Sequence, residues 1–302
     1  MTTANPTTVL TGATGFVGPY LQAIRPCVPL VDAQGQPIDV RDASALNSWF
    51  EGVEVDAVIH LAAQSFVPRS FADPQETFEI NFVGTLNLLN ALKRSGFRGR
   101  FLYVGTADIY GAVPVHELPI TESQLPHPRN PYAVSKLAAE ALCYQWSQTE
   151  PFQIVMARPF NHIGPRQPDH FVVSSFAKQI ADRSRSGSRE PIKVGDVDVT
   201  RDFSDVRDIV RAYDMLVDSG LSGEIYNICS GVETSLREVL QVLQRLAGTE
   251  VDIIQESSRL RPSEQRRVAG NFGKIHKRLG WEPTIPLQQS LGDILDFWNS
   301  QL

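Results

Sequence analysis

Three glycines directly after the first predicted strand constrain this fold more than any other feature of the chain. The stretch Thr7–Thr11 predicts a short buried strand, and Gly12, Gly15 and Gly18 follow it at once. Glycines at this spacing make a tight turn, let the backbone approach a pyrophosphate and let a helix pack closely on its strand. The free amides at the start of the next predicted helix, residues 16–24, then point at the phosphates. The sequence therefore predicts a dinucleotide-binding turn at a strand-to-helix junction.

Strands and helices alternate through the first half of the chain. Further strands are predicted over residues 28–32, 55–61, 100–104 and 152–157, and helices over 44–50, 74–94 and 131–148. This alternation implies right-handed crossovers and a parallel sheet covered on both faces. We therefore expect an α/β fold with a doubly wound, Rossmann-like parallel sheet and a smaller α/β C-terminal substrate region. We place the boundary between 1–160 and 161–302, with the chain crossing between the two parts.

Composition excludes several classes of protein. The chain has 302 residues of which 42% are hydrophobic, and a disordered chain would be less hydrophobic. Its net charge of −6 lacks the basic surplus of a duplex-binding protein, so we expect no nucleic-acid partner. The three cysteines lie far apart and neither His162 nor His170 has a partner at metal-site spacing, so we predict no metal and a reducing cytoplasm. With no signal peptide and no apolar run near 20 residues, we expect no membrane association.

Tyr132 and Lys136 form the strongest candidate for catalysis. They lie four residues apart at the start of the predicted helix 131–148, and so share one face. An ammonium beside a phenol favours the phenolate and lowers the phenol pKa from its ordinary value of about 10. Thr106 ends the fourth predicted strand, at the edge where open α/β sheets bind ligands. We predict that Tyr132 is a general acid or base tuned by Lys136, and that the Thr106 hydroxyl holds the reacting oxygen.

Acidic residues near the second strand bear on the choice of dinucleotide. Asp32 lies 20 residues after Gly12, at the predicted end of that strand. An acid there accepts hydrogen bonds from the adenosine ribose and repels a 2′-phosphate, which favours NAD(H) over NADP(H). Asp39 and Val40 are predicted to reach the adenine, although a plain loop acid is an equal alternative for Asp39. Both NAD(H) and NADP(H) stay open.

Five motifs together resemble the extended short-chain dehydrogenase/reductase family, whose nucleotide-sugar branch contains epimerases, dehydratases and reductases. They are Thr11–Gly18, His60-Leu-Ala-Ala-Gln64, the Asn-Phe-Val-Gly-Thr stretch from Asn81, Tyr132-Ala-Val-Ser-Lys136 and Arg158-Pro-Phe-Asn-His162. The resemblance implies an NAD(P)-dependent oxidoreductase in which Lys136 also holds the nicotinamide ribose. The family also implies cofactor contacts, beyond the three glycines, at Thr14, Phe16, Val17, Leu61, Ala62, Ala63, Asn81, Tyr132 and Phe160.

Three longer stretches resemble most the family members that reduce GDP-linked 4-keto-6-deoxy sugars. They are residues 126–140, 158–165 and 194–203. This resemblance implies reduction of the C4 ketone of GDP-4-keto-6-deoxy-D-mannose to GDP-D-rhamnose, by an enzyme that in this family commonly forms a homodimer. Family dehydratases look like Thr-x-Glu after the fourth strand, whereas this chain has the shorter Asp108, a difference large enough to weaken an elimination base. A 4,6-dehydratase, a 4-epimerase and a non-enzymatic dinucleotide-sensing regulator remain alternatives, although a regulator could dispense with the Tyr–Lys pair.

An acidic chain needs local cations to hold a sugar diphosphate. Arginine offers a planar donor fork suited to phosphate. Arg201 and Arg261 match the family's diphosphate arginines, and by the same likeness Glu264 would accept from the nucleotide ribose. Lys178, on a helix predicted over 172–181, is a further candidate. With Asn161, which by resemblance meets the substrate, and with Thr106 and Asp108, these residues form the predicted substrate-binding set.

Overall fold

The computed structural model describes residues 7–259 and 265–301. Its strands are β1 (Thr8–Thr11), β2 (Val28–Pro29), β3 (Ala57–His60), β4 (Arg100–Val104), β5 (Gln153–Pro159), β6 (Asn161–Ile163), β7 (Ile192–Val194), β8 (Thr200–Asp205), β9 (Ile225–Ile228), β10 (Glu233–Ser235) and β11 (Ile253–Gln255). Its α-helices are α1 (Gly18–Ile24), α2 (Ala43–Phe50), α3 (Val67–Ala72), α4 (Pro74–Phe78), α5 (Gly84–Arg94), α6 (Pro131–Thr149), α7 (Val172–Ser186), α8 (Val206–Ser219), α9 (Leu236–Ala247), α10 (Gly273–Leu279) and α11 (Leu287–Ser300).

Six parallel strands form the central sheet, in the order β2-β1-β3-β4-β5-β9. Every residue of β1 and β3 is buried, as expected for strands covered on both faces. The chain moves outward from β1 to β2 and then returns to the other side of β1 to form β3. This reversal makes a switch point at the carboxyl ends of β1 and β3, where open α/β sheets bind ligands. The predicted doubly wound, Rossmann-like parallel sheet is confirmed.

Helices cover both faces of this sheet. On one face α2, α5 and α6 pack around buried residues that include Leu88, Phe101 and Cys143. On the other face α1 and α8 pack around residues that include Leu21 and Leu102. The helices α1 and α6 both begin near the switch point and lie on opposite faces of the sheet.

The C-terminal part of the chain has a core of its own. The strands β6, β8 and β10 form a small sheet, and α7, α9 and α11 pack together around buried Phe176, Val239 and Leu291. The strand β9 lies beyond residue 160 in the sequence and yet pairs with β5 in the central sheet. The division into 1–160 and 161–302 stays a prediction, since the chain returns to the first sheet after passing through the second part.

Side-chain caps fix two of the predicted helix starts. The Asn130 carboxamide oxygen accepts a hydrogen bond from the Ala133 amide at 2.7 Å, and Pro131 occupies the first turn of α6. Asp42 caps α2 in the same way. The first helix begins at Gly18 rather than Phe16, because the glycine turn extends through Val17. The helix predicted over 74–94 contains a π-helical turn, Glu79–Val83, between α4 and α5.

The predicted end of the second strand is wrong. The strand β2 ends at Pro29, and Asp32 begins a turn instead. The Asp32 carboxylate accepts hydrogen bonds from the backbone amides of Gln34 and Gln36 at 2.9 and 2.8 Å. An aspartate side chain commonly accepts hydrogen bonds from backbone amides of its own loop. These bonds compete with further pairing of the strand.

Candidate functional site

A cleft of about 700 Å³ lies at the switch point of the central sheet. It is walled by the glycine turn after β1, the loop after β3, the end of β4, the start of α6 and the corner between β5 and β6. The structure brings fifteen of the predicted site residues to this cleft: Gly12, Thr14, Gly15, Phe16, Val17, Leu61, Ala62, Ala63, Thr106, Asp108, Tyr132, Lys136, Phe160, Asn161 and Arg201.

Each glycine of the turn is required for a different reason. Gly12 has a φ of +69°, and a Cβ there would lie 2.8 Å from the Ala62 amide nitrogen. A Cβ on Gly18 would lie 2.2 Å from the Ala13 carbonyl oxygen, so this glycine closes the turn and does not line the cleft. Gly15 is different, because its Cβ would meet only the Gly12 carbonyl oxygen, at 3.3 Å, and would otherwise project into the cleft.

The Tyr132 phenol is buried at the start of α6, near the side chains of Thr106 and Asp108. The prediction of a lowered phenol pKa is wrong for this structure. Burial raises the pKa of Tyr132 well above its ordinary value, the charge of Asp108 raises it further, and the nearby Thr106 side chain lowers it only in part. Tyr132 therefore stays protonated at neutral pH, which is the state required of a proton donor.

Lys136 is fully enclosed one helical turn after Tyr132. Its ammonium lies 4.7 Å from the centre of the Tyr103 ring, a cation–π contact. Burial lowers the pKa of Lys136 to about 8, while Cys143 and Glu140 oppose that effect. The ammonium thus remains mostly charged at neutral pH, at the inner end of the cleft.

Asn81 lies behind the cleft wall rather than in it. The π-helical turn places its side chain so that the oxygen accepts from the Gln64 amide at 2.9 Å. Its nitrogen donates to the Gln64 carbonyl and to the Ser135 hydroxyl, at 3.0 and 2.9 Å. Asn81 therefore ties the loop after β3 to the helix that carries Tyr132, and the structure shows a positioning contact in place of the expected direct lining.

A neutral imidazole extends this network to the glycine turn. The Thr11 hydroxyl accepts from the Ala62 amide and lies 2.7 Å from His60 Nδ1. The Thr85 hydroxyl donates to the Asn81 carbonyl, so it accepts from His60 Nε2, 3.0 Å away. These bonds place the proton of His60 on Nε2. Burial lowers the pKa of His60 to about 3, so the ring stays neutral at physiological pH.

Aromatic side chains join the two parts of the chain across the cleft. The Phe16 ring from the glycine turn stacks on His162, with ring centres 6.0 Å apart. The Phe66 ring, from the loop after β3, meets His170 edge-on at 4.6 Å, and Phe171 continues this cluster. Only Phe16 of these residues belongs to the predicted set. The lining residues that sequence reasoning missed include Ser65, Phe66, Val67, Arg129, His162, Gln167, His170, Phe171, Tyr213, Gln265 and Val268.

Four further residues of the predicted site lie outside this cleft. Asp32 is held by its own turn, and Asp39 binds the Arg41 guanidinium at 3.0 Å. Val40 packs against Gly84 at the start of α5. Lys178 pairs with Asp169 and lies 5.2 Å from the Trp298 ring centre, on the surface of α7. None of the four lines the cleft, and Arg261 and Glu264 lie outside the described residues.

Arg201 reaches the cleft from the small sheet. Its guanidinium donates to the carbonyl oxygens of Thr200 and Gln265 at 2.6 and 2.8 Å. The neighbouring Asp202 is fully buried and accepts four hydrogen bonds from Ser230 and the amides of Gly231 and Gly270. This buried carboxylate anchors β8 and thereby the position of Arg201, the arginine predicted to meet the diphosphate.

Two buried polar atoms on the cleft wall have no hydrogen-bond partner among the described residues. They are the carboxamide oxygen of Gln167 and the hydroxyl of Tyr213. The Gln167 nitrogen donates to the His162 carbonyl at 2.9 Å, so only the oxygen of that carboxamide is unsatisfied. Buried polar groups are rarely left without partners, so these two atoms are unusual among the described residues.

Within residues 7–259 and 265–301, no three His, Cys, Asp or Glu side chains come together in a way that could hold a metal ion. In the same ranges, none of the helices combines the length and apolarity needed to cross a bilayer.

Comparisons with known proteins agree with this geometry. Residues 33–294 match the family model described as GDP-mannose 4,6 dehydratase. The chain is similar to GDP-6-deoxy-D-mannose reductase of Pseudomonas aeruginosa, with 47% identity over 97% of each chain. It is also similar to dTDP-glucose 4,6-dehydratase of Haemophilus influenzae, with 30% identity over 85% of this chain and 80% of that protein.

Solved structures of nucleotide-sugar enzymes also match this fold. The structure of RMD from Pseudomonas aeruginosa complexed with NADPH matches with a TM-score of 0.92 and 46% identity, over 98% of this chain and 100% of that one. A UDP-glucose 4-epimerase from Thermus thermophilus in complex with NAD matches with a TM-score of 0.85 and 28% identity, over 98% of this chain and 99% of that one.

Proposed function

We propose that this chain, which belongs to the GDP-mannose 4,6-dehydratase family of extended short-chain dehydrogenases/reductases, reduces the C4 ketone of GDP-4-keto-6-deoxy-D-mannose to GDP-D-rhamnose with NAD(P)H. One observation carries the proposal. Thr106, Tyr132 and Lys136 meet in the cleft of a chain that is 47% identical, over nearly its whole length, to a GDP-6-deoxy-D-mannose reductase. Asp108, in place of the glutamate of family dehydratases, supports reduction over elimination.

The side chains of the cleft fit the proton chemistry of this reduction. A bound nicotinamide supplies the hydride to C4. The Tyr132 phenol donates its proton to the C4 oxygen, so that the carbonyl becomes a secondary alcohol and the phenol is later reprotonated from solvent. The Thr106 hydroxyl holds the same oxygen, and the Lys136 ammonium stabilises negative charge on the phenol after the proton has left.

The residues also fit a dinucleotide and a sugar diphosphate. The glycine turn leaves room for a pyrophosphate beside Gly15, at the start of α1. Arg201 offers a guanidinium from the opposite wall for the diphosphate of the sugar nucleotide. The sequence argument for NAD(H) depends on Asp32, which lies in a turn after β2 with Oδ1 bonded to the amides of Gln34 and Gln36, and we propose that either dinucleotide serves.

A direct assay tests the reaction. The purified protein is mixed with GDP-4-keto-6-deoxy-D-mannose and either NADH or NADPH, and nicotinamide absorbance and sugar products are followed. We expect one dinucleotide to be oxidised for each ketone reduced. A dehydratase or a 4-epimerase would convert its sugar without net nicotinamide oxidation, and a regulator would bind dinucleotide without turnover. Either result, obtained with folded protein, would overturn the proposed reduction.

We also propose a homodimer in the cytoplasm. Large hydrophobic side chains are exposed on neighbouring elements of one side of the protein, at Phe71 on α3, Val83 in the π-helical turn, and Val134 and Tyr144 on α6. Exposed apolar side chains on adjacent elements are typical of an interface with another chain. The three cysteines are free thiols, which is compatible with a reducing compartment.

The Gly15→Ala variant is expected to fold like the wild type and to bind dinucleotide roughly tenfold or more weakly. Its Cβ would lie 3.3 Å from the Gly12 carbonyl oxygen, a contact that needs a backbone shift of only a few tenths of an ångström, and would occupy the position proposed for the pyrophosphate. Circular dichroism and titration with NADH and NADPH measure the two effects. Gly292→Ala is the matched control, because a Cβ on that glycine of α11 meets only the far end of Leu246, at 4.0 Å.

Gly18→Ala distinguishes the two kinds of glycine in the turn. Its Cβ would collide with the backbone of Ala13, so this variant is expected to lose folding stability as well as affinity. If Gly15→Ala bound dinucleotide as tightly as Gly292→Ala does, the placement of the pyrophosphate at this turn would be wrong.

A further inference from the structure

Arg129 is a cation on the cleft wall to which the proposed reduction gives no role. It is exposed and lines the cleft, and its guanidinium makes no hydrogen bond or ion pair with any residue that the structure describes. Among the described residues, two further Lys or Arg side chains line the cleft, and both are occupied. Lys136 lies against the Tyr103 ring, and Arg201 donates to two backbone carbonyls. The donors of Arg129 are therefore available to a ligand in the cleft.

The backbone around Arg129 is held between two anchored neighbours. Gly111 has a φ of +63°, and a Cβ there would collide with the His127 carbonyl, so the chain before Arg129 packs directly on this glycine. The Cγ of Arg129 lies 3.3 Å from the same Cβ position, which places the start of the side chain over Gly111. On the other side, Asn130 caps α6, which begins at the next residue. The side chain of Arg129 therefore starts from a fixed point on the cleft wall.

This point is close to the groups proposed to hold the C4 oxygen. Thr106 begins a single 3₁₀ turn, and the Gly111 amide closes that turn by donating to one of its carbonyl oxygens at 3.2 Å. Thr106 and Gly111 therefore lie at the two ends of one short turn. Arg129 starts over the second of these residues and precedes Tyr132 by three positions. Arg129 thus belongs to the wall that carries the proton donor.

We propose that the Arg129 guanidinium donates hydrogen bonds to the C2 and C3 hydroxyls of the hexose and so selects a sugar that carries both. The inference rests on the proposed function, which sets the substrate and its direction in the cleft. With the C4 oxygen at Tyr132 and Thr106, the diphosphate on C1 leaves from the opposite side of the ring, toward Arg201 on β8. The C2 and C3 hydroxyls lie between these ends, and C3 is next to the reacting carbon. Neighbouring oxygens can both accept from the rigid donor fork of a guanidinium, whose charge strengthens each bond.

The Arg129→Met variant tests this by comparing two ligands. GDP-mannose carries hydroxyls at C2 and C3, whereas GDP lacks the hexose but keeps the diphosphate and the nucleoside. Affinity for GDP-mannose, measured by calorimetry, should fall by about 10- to 100-fold, the loss expected when hydrogen bonds from a charged donor are removed. Affinity for GDP should stay within about twofold of the wild type, as expected for a side chain that does not contact the diphosphate.

Steady-state kinetics of the same variant give a second measurement. The hydroxyls at C2 and C3 do not react, so Arg129 would bind them equally in the ground state and in the transition state. The KM for the keto sugar should therefore rise by a similar factor, while kcat stays within about threefold of the wild type. The thermal unfolding midpoint and the affinity for NADH or NADPH should not change, because Arg129 has no partner among the described residues to lose.

Arg98→Met is the matched control. Arg98 is also exposed and has no hydrogen bond or ion pair with the part of the chain that the structure describes. It lies just before β4, at the amino edge of the sheet, and does not line the cleft. This variant removes the same charge and should leave both affinities and the KM unchanged.

Three results would overturn the inference. They are unchanged affinity of Arg129→Met for GDP-mannose, an equal loss of affinity for GDP, which would place the guanidinium on the diphosphate, or an equal loss in Arg98→Met, which would reflect net charge alone. Failure of the proposed reduction is distinguishable from these results. It would appear as absent turnover by the wild type, whereas the comparison of GDP-mannose with GDP needs no turnover.

Discussion

Replacing Tyr132 by phenylalanine is expected to lower kcat for ketone reduction by about 10²- to 10⁴-fold, the usual contribution of a positioned general acid. The ring that packs at the start of α6 is retained, and only the hydroxyl near Thr106 is removed. The expected loss is therefore one of proton donation rather than of folding. Because the sugar nucleotide is proposed to be held mainly through its diphosphate, its KM should change much less than kcat.

The elevated pKa of Tyr132 makes this prediction specific to reduction. A phenol that stays protonated at neutral pH can donate a proton to the C4 oxygen without a preceding ionisation. The reverse reaction, oxidation of the alcohol, needs the phenolate and should proceed better as the pH is raised. Steady-state kinetics in both directions across a range of pH would measure this asymmetry.

Tyr144→Phe provides the control for this experiment. Tyr144 lies on the same helix, is half exposed and does not line the cleft, so loss of its hydroxyl should leave kcat within about twofold of the wild type. If Tyr132→Phe also kept kcat within tenfold of the wild type, Tyr132 could not be the proton donor. Thr106 or a cleft water would then have to supply the proton.

The central sheet could be predicted from sequence because its signals are local. The glycine spacing after β1, the buried strands and the Asn130-Pro131 start of α6 each occupy a few consecutive residues. The rule that open sheets bind ligands at their carboxyl edge then brings Gly12, Thr106 and Tyr132 together although they are far apart in the chain. The structure places all three in one cleft.

The environment of the second strand could not be predicted in this way. Leu30, Val31 and Asp32 continue the pattern of a strand that ends in an acid, which is also the pattern of a ribose-binding site. What decides where the strand ends is a hydrogen-bond choice, since Asp32 Oδ1 binds the amides of its own turn. A pattern of residue types does not reveal which of two available donors a carboxylate will use.

Some residues of the cleft wall were not predicted from the sequence, for a different reason. Gln167, His170 and Phe171 lie in a connection without regular periodicity, and their approach to the cleft depends on how the two parts of the chain pack. Tyr213 lies on the buried face of an amphipathic helix, where its residue type is typical of core packing. Its hydroxyl has no hydrogen-bond partner among the described residues, and this can be recognised only when the neighbouring side chains are known.

Burial also explains the error in the pKa of Tyr132. A spacing of four residues shows that Lys136 is near the phenol but says nothing about how much water reaches either group. Desolvation disfavours the charged form of both side chains, so it raises the pKa of the phenol and lowers that of the ammonium. The sequence predicted that Tyr132 and Lys136 meet in one cleft, and it could not predict the direction of their pKa shifts.

Removing one partner of the buried ion pair between Glu140 and Arg158 is expected to destabilise the protein by about 3–5 kcal/mol. The pair joins α6, one turn after Lys136, to the carboxyl end of β5. Its two hydrogen bonds measure 2.9 and 2.6 Å, and both side chains are about 5% exposed or less. Burial would lower the pKa of Arg158, but pairing with Glu140 outweighs it and raises that pKa.

The reason for the large effect is the charge that is left behind. In a Glu140→Leu variant the Arg158 guanidinium keeps, among the described residues, the Tyr110 hydroxyl, at 2.8 Å, and the face of the Tyr110 ring, 4.9 Å away. Neither group carries a compensating negative charge, so the uncompensated guanidinium must be buried at full cost or must draw water into the space between α6 and β5. Urea unfolding of the variant and the wild type measures the difference in the free energy of unfolding.

Two control variants separate the effect of burial on stability from the effect of an unpaired charge. Glu150→Gln breaks the pair with Lys93 at the C-terminal end of the same helix, where Lys93 is more than half exposed, and should cost less than about 1 kcal/mol. Replacing both buried partners, as Glu140→Leu with Arg158→Met, should recover most of the stability lost in Glu140→Leu, because no unpaired charge remains. If the single and double variants were equally unstable, the loss would come from packing between α6 and β5, and the ion pair would have no special part in holding the catalytic helix in place.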